Sequence, residues 1–157
     1  MHRFIHDRQP FVVCLQESKL TSVDEFIVKS IWGSDCCGYS YQAFVGASRG
    51  LLTLWDTSVV EVWCTISYRH LLIIKGMVLL SGQDFIIVNV YAPCDSSAKQ
   101  ELWLRLNQFI IYSGIVNVCV CGDFNFVRTS AERRGRNLLF RQVDADNFNN
   151  FIDGSFF

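Results

Sequence analysis

Two carboxylates in this sequence stand directly after apolar runs. Phe11-Val-Val-Cys-Leu15 leads into Gln16-Glu17, and Ile115 to Cys121 leads into Gly122-Asp123-Phe124-Asn125. A carboxylate at the end of a buried strand is costly unless it meets water, a donor or a cation. Brought to one rim, Glu17 and Asp123 repel. A hard divalent cation relieves that repulsion, because Mg²⁺ takes one or two carboxylates and fills its other positions with water and phosphate oxygens. Asp123 and Asn125 are two residues apart, so an extended backbone aims both side chains the same way. One can polarise a water while the other donates to a phosphate oxygen. Tyr91, in Asn89-Val-Tyr-Ala-Pro93, closes a third apolar run and offers a hydroxyl to the same phosphate.

Each of these residues also has a plain structural reading. Glu17 alone is a solvated strand end or a helix-entry residue. Gly-Asp-Phe-Asn alone is a turn, since Gly, Asp and Asn are turn formers. Tyr91 alone is a core aromatic with a wet hydroxyl. Their common placement after apolar strands is what favours chemistry, because layered α/β folds usually place their sites just past strand ends.

The elements that position them follow from periodicity. Phe11 to Leu15 and Ile115 to Cys121 are short apolar runs of the buried-strand kind. Ser22-Val-Asp-Glu25 has capping-box spacing before Val23, Phe26, Ile27 and Ile31, and Gly33 stops that helix. Tyr39 to Val45, Gly50 to Trp55 and Val59 to Ile66 are β-rich runs between Gly, Ser and Asp, and suggest an antiparallel meander. Leu71 to Leu80 and Phe85 to Tyr91 flank a hairpin-type turn at Ser81-Gly-Gln-Asp84. Asp95 to Ser113 is the best helix, with Leu102, Leu106, Phe109 and Ile110 on one stripe and Gly114 as its stop. Asp144 is placed to cap a last helix carrying Phe148, Phe151 and Ile152. Helices alternating with strand groups indicate a layered α/β sandwich with mixed sheets.

Composition sets the outer bounds. The chain has 157 residues, 50% of them apolar and 14% aromatic, which excludes intrinsic disorder and suits one domain. Net charge is −1, so contact with nucleic acid needs a local patch. Arg128, Arg133, Arg134, Arg136 and Arg141 form the only basic cluster, read either as a solvated loop or as a contact for DNA phosphates. Seven cysteines cannot all pair within one chain, and no Cys/His spacing suits zinc. They read as small buried hydrophobes in a reducing compartment. Met1 to Asp7 has no apolar signal core, which predicts an intracellular, unsecreted protein. Leu106 to Gly122 is uncharged but contains Asn107, Gln108, Ser113, Gly114 and Asn117, and falls short of the roughly 20 apolar residues that span a bilayer. No membrane role is expected.

In order along the chain, Leu15-Gln16-Glu17-Ser18-Lys19, Gly46-Ala-Ser-Arg-Gly50-Leu-Leu-Thr-Leu-Trp55-Asp56, Asn89-Val-Tyr-Ala-Pro93 and Cys121-Gly-Asp-Phe-Asn125 resemble the endonuclease/exonuclease/phosphatase superfamily. Gly50 to Asp56, with Glu132-Arg133-Arg134-Gly135 and Phe148-Asn-Asn-Phe-Ile152, is similar to the endonuclease domain of plant non-LTR (LINE-type) retrotransposons. The resemblance covers the chain as a single partial domain, 1–157, from about Phe11 onward. It implies a four-layer α/β sandwich of two mixed sheets flanked by helices, incomplete at both ends, and Mg²⁺-dependent hydrolysis of DNA phosphodiesters, with Mn²⁺ as a substitute metal. By position, Glu17 resembles the metal ligand and Tyr91 the phosphate-contacting tyrosine. Asp123 resembles the residue that positions or deprotonates the attacking water, and Asn125 its phosphate-binding neighbour. Asn89, Arg128, Arg133, Arg134 and Arg136 are expected to contact phosphate or DNA. The expected partners are DNA and the reverse transcriptase of a retroelement polyprotein, with no obligate protein partner. A nuclear address follows from the resemblance alone.

The sequence also departs from the family pattern. Met1 to Pro10 holds no Asn for the family's opening strand, none of His2, His6 and His70 lies in a Ser-Asp-His motif, and Cys94 stands where many members have Asn. The expectation is an interior piece of the domain with weak or no activity on its own. A phosphatase of the same superfamily acting on a small phosphorylated substrate, and a non-catalytic retroelement relic, are the alternatives.

Overall fold

The structure, a computed structural model, describes residues 2–43, 50–115, 117–132 and 141–156. In order, the elements are α1 (His2–Arg8), β1 (Val12–Ser18), α2 (Glu25–Trp32), β2 (Cys37–Gln42), β3 (Gly50–Asp56), β4 (Val60–Tyr68), β5 (Leu71–Val78), β6 (Gln83–Tyr91), α3 (Ser96–Ser113), β7 (Val118–Asp123), a 3₁₀ turn (Ser130–Glu132) and α4 (Gln142–Phe156). They fall into two compact units. One comprises Met1–Tyr91 and Ile115–Gly122, the other Ala92–Gly114 and Asp123–Phe157.

The first unit is layered by the two-residue alternation of β3. Leu52 and Leu54 face Ile5 of α1 and Val28 and Trp32 of α2. Trp55, on the opposite face, packs with Val60, Ile74, Phe85 and Ile87. Both faces of β3 are therefore buried, which makes it the central strand of a sheet ordered β1-β3-β2, with both pairs antiparallel. The second sheet is ordered β4-β5-β6-β7. Helices, three-stranded sheet and four-stranded sheet make the α/β sandwich that the sequence indicated.

Three local expectations are corrected. The meander does not form: β2 pairs with β3, but β4 leaves for the other sheet and pairs with β5. The reason lies in burial. Along β4 exposed residues alternate with half-buried ones, as suits an edge strand, whereas β3 is buried from Gly50 to Trp55. The cap of α2 is Asp24, which accepts from Ile27 N–H at 2.9 Å, so Ser22 is not the cap. The cysteines are all free thiols as expected, yet Cys36, Cys94 and Cys119 are exposed and the other four only half-buried. The β5–β6 hairpin forms with its turn at Leu79–Gly82, slightly ahead of the expected position.

In the second unit, α3 is capped by Asp95, which accepts from Ala98 N–H at 2.9 Å, and stopped by Gly114 in the left-handed conformation. Its buried stripe is Leu102, Trp103, Leu106 and Ile110. Trp103 holds α4 through Phe148 and Phe151, with ring centroids 5.3 and 5.1 Å away. Asp144 does not cap α4. The helix begins at Gln142, and Asp144 accepts instead from Ser96 Oγ at 2.7 Å. Among the described residues, no helix is long and apolar enough to cross a membrane.

Candidate active site

In the first unit the end of β1 is irregular. Its register against β3 slips between Leu15 and Ser18, and Glu17 takes a φ of 57°. Bulges of this kind re-aim one side chain, and a left-handed glutamate costs on the order of 1–3 kcal/mol that the surrounding sheet must absorb. The outcome is an exposed carboxylate whose Oε1 accepts from Tyr91 Oη at 2.8 Å. Glu17 and Tyr91, read separately from the sequence, are thus brought together. Tyr91 ends β6, and its N–H donates to His70 O at 3.0 Å while its carbonyl lies 3.1 Å from His70 Nδ1. Burial, reinforced by the Arg69 charge, holds the His70 imidazole below its ordinary pKa against the pull of the Tyr91 carbonyl.

Asn89 does not contact phosphate in this fold. It is fully buried, its Nδ2 lies 3.2 Å from Leu15 O, Leu52 O and Thr53 Oγ1, and its Oδ1 accepts from Gln16 Nε2 at 2.7 Å. The amide is saturated and ties β6 to β1 and β3, which explains a polar residue inside an apolar strand. Gly122, with φ 139°, is needed for close approach: a Cβ there would sit 2.0 Å from Val90 O.

In the second unit, Asp123 and Asn125 are also together, though not as extended backbone. Asp123 Oδ1 accepts from Asn125 N–H at 2.8 Å and Asn125 has a φ of 48°, so the segment is an Asx-type turn. Ala92 clamps it on both sides, donating its N–H to Asp123 O at 2.8 Å and accepting from Asn125 Nδ2 at 2.7 Å. That bond commits one amide hydrogen of Asn125 to the main chain. Lys99, only 7% exposed, donates to Asn125 O at 2.7 Å, and its ammonium lies 4.9 Å from the centre of the Phe126 ring. Lys99 was not singled out in the sequence. Its only signal is a charge falling on the buried stripe of an amphipathic helix. Asp123 is exposed.

Arg128 is engaged rather than presented. Its Nε donates to Asn149 Oδ1 at 2.7 Å, and Nη2 lies 3.9 Å from Asp153. Arg133, Arg134 and Arg136 lie outside the described residues. Among the described residues no three His, Cys, Asp or Glu side chains gather into a metal cage. An exposed Glu17 carboxylate steadied by a phenol hydroxyl does fit a hard cation that keeps most of its water.

A family model described as Endonuclease/Exonuclease/phosphatase family matches residues 1–152. No curated protein matches the sequence significantly. Among solved structures, the human Nocturnin catalytic domain with bound sulfate aligns with a TM-score of 0.69 at 15% identity, over 98% of this chain and 60% of that one. AP endonuclease LMAP from Leishmania major aligns at 0.67 and 16%, over 98% and 60%. TDP2 from D. rerio complexed with single strand DNA product aligns at 0.55 and 15%, over 80% and 52%. At these identities the likeness is one of fold. The chain spans about three fifths of the first two structures and about half of the third.

Proposed function

Because the chain belongs to the endonuclease/exonuclease/phosphatase family, we propose that it hydrolyses DNA phosphodiesters with Mg²⁺, as the endonuclease domain of a non-LTR retroelement. The observation that carries this reading is the 2.8 Å hydrogen bond from Tyr91 to Glu17. It holds an exposed carboxylate at a strand end, of the kind a hard cation takes, and orients the phenol beside it. With Arg128 held by Asn149, Arg133, Arg134, Arg136 and Arg141 of the sequence cluster support DNA over a small substrate. The likeness of Gly50 to Asp56, Glu132 to Gly135 and Phe148 to Ile152 supports the retroelement assignment. A reverse-transcriptase reading frame downstream in the genome tests that assignment, and an unrelated flanking gene counts against it.

In this mechanism Glu17 holds the cation, which when bound supplies charge stabilisation at the phosphoryl oxygens. Tyr91 contacts the phosphate. A water oxygen held by Asp123 attacks phosphorus in line, its proton passes to the Asp123 carboxylate, and the opposite P–O bond breaks. The leaving oxygen takes its proton from solvent. Asn125, anchored to Ala92 and Lys99, keeps the Asp123 turn in place and faces the phosphate with its remaining capacity.

The expected rate is low. No histidine of the chain has a Ser-Asp-His setting, and a missing acid–base partner costs on the order of 10²–10⁴. The test is nicking of supercoiled plasmid with protein in excess over DNA. Slow nicking that requires Mg²⁺ and disappears in Asp123→Ala is expected. Nicking that survives Asp123→Ala or a chelator overturns the assignment.

A further inference from the structure

We infer that His70 is a positioning residue for the Tyr91–Glu17 pair, acting through the main chain of Tyr91. This rests on the metal role given above to Glu17. The register of β5 on β6 runs to Leu71↔Val90, so His70 stands opposite Tyr91 one step further on. Two opposed residues of an antiparallel hydrogen-bonded pair normally exchange two N–H···O bonds. Here only one is the usual kind, Tyr91 N–H to His70 O at 3.0 Å. The other is made by the ring: Nδ1 lies 3.1 Å from Tyr91 O and takes the place of a main-chain donor.

The substitution has a visible cause. His70 is not a strand residue but the second residue of the two-residue turn that joins β4 to β5 between the paired Tyr68 and Leu71, where its φ of 83° is what a tight turn requires. Such a conformation in a non-glycine residue costs on the order of 1–3 kcal/mol. The hairpin closure imposes it, and the imidazole then lies against Tyr91 O. A carbonyl only accepts, so Nδ1 carries the hydrogen in this bond. With both sides of its peptide held, Tyr91 enters the site at one angle, and its hydroxyl meets Glu17 Oε1 at 2.8 Å.

Two variants separate backbone strain from the ring bond. His70→Gly relieves the φ and removes the donor, whereas His70→Asn tolerates the φ and restores a donor from the side-chain amide. The readout is the ¹³Cζ resonance of Tyr91 in tyrosine-labelled protein, assigned with Tyr91→Phe and calibrated with Glu17→Ala, which removes the acceptor. The expected result is that His70→Gly shifts the resonance toward the position it takes in Glu17→Ala, that His70→Asn leaves it in place, and that Mn²⁺ affinity falls about tenfold in the glycine variant only. An unshifted Tyr91 resonance in folded His70→Gly overturns the inference. In the unmodified protein, ¹⁵N shifts of the His70 ring should show Nδ1 protonated. An Nε2–H tautomer overturns the inference without any variant. Absence of Mn²⁺ binding in the unmodified protein counts against the metal role of Glu17, while the tyrosine and histidine resonances still decide the role of His70.

Discussion

The hydroxyl of Tyr91 donates to the carboxylate of Glu17 across 2.8 Å and 74 positions of sequence. Neither residue reaches the other by local geometry. Glu17 is turned outward by a bulge at the end of β1, and Tyr91 is the last residue of β6. Their meeting requires the two sheets of the first unit to pack with the register that β3 imposes.

Removing only the hydroxyl should therefore separate chemistry from folding. In Tyr91→Phe the half-buried ring remains, so the melting temperature should stay within a few degrees. Mn²⁺ binding should weaken about tenfold or more, as for loss of an outer-shell partner of a metal ligand. Titration of Mn²⁺ followed by electron paramagnetic resonance checks this, and equal affinity in the two proteins counts against the pairing.

Asn89→Ala should act on stability and not on DNA. The substitution takes the Asn89 partner from Gln16 Nε2, from the Leu15 and Leu52 carbonyls and from the Thr53 hydroxyl. At about 1–3 kcal/mol for each stranded group, the expected loss is about 2–4 kcal/mol in urea unfolding. The salt dependence of duplex DNA binding should be unchanged, because the side chain is sealed from solvent. A weakened salt slope in a folded Asn89→Ala protein would restore the phosphate-contact role.

Gly122→Ala should be among the most damaging single-methyl changes in the chain. The new Cβ meets the Val90 carbonyl at 2.0 Å, and a φ of 139° is foreign to alanine. Overpacking and backbone strain, each about 1–3 kcal/mol, combine to about 2–4 kcal/mol or more. Denaturant unfolding reads this directly.

Stability should fall on acidification through the His70 range. The folded-state pKa lies below the ordinary value of 6.5 because burial and Arg69 disfavour the imidazolium. The unfolded state then binds the proton first, so the contribution is complete above about pH 6.5 and is lost as pH drops toward the folded pKa. Melting curves from pH 8 to pH 5 should show a steeper decline in the native sequence than in His70→Asn.

What could be read from the sequence divides along physical lines. The β5–β6 hairpin and α3 were legible because a turn signal or a cap sits where an apolar period changes, and both cues are local. Glu17, Tyr91 and Asp123 stood out because polar groups after apolar runs need a reason. Asn89 carried the same signal for a different cause. Only the register of three strands shows that its amide is consumed by carbonyls from β1 and β3. Asn125 was misjudged in conformation, since a two-residue spacing aims side chains together only in extended chain, and Asp123 caps an Asx-type turn instead. The parting of β3 from β4 was hidden because both read as short β-rich runs. The helix α1 was missed because, among its described side chains, Ile5 is the one that is buried.

Binding of one divalent cation at Glu17 is the decisive quantity. Mn²⁺ titration of the unmodified chain and of Glu17→Gln, with Mg²⁺ as competitor, should show a bound ion that Mg²⁺ displaces and whose affinity drops at least about tenfold when the carboxylate becomes an amide. Equal Mn²⁺ affinity in the two proteins, or no binding in either, would contradict the hydrolase mechanism.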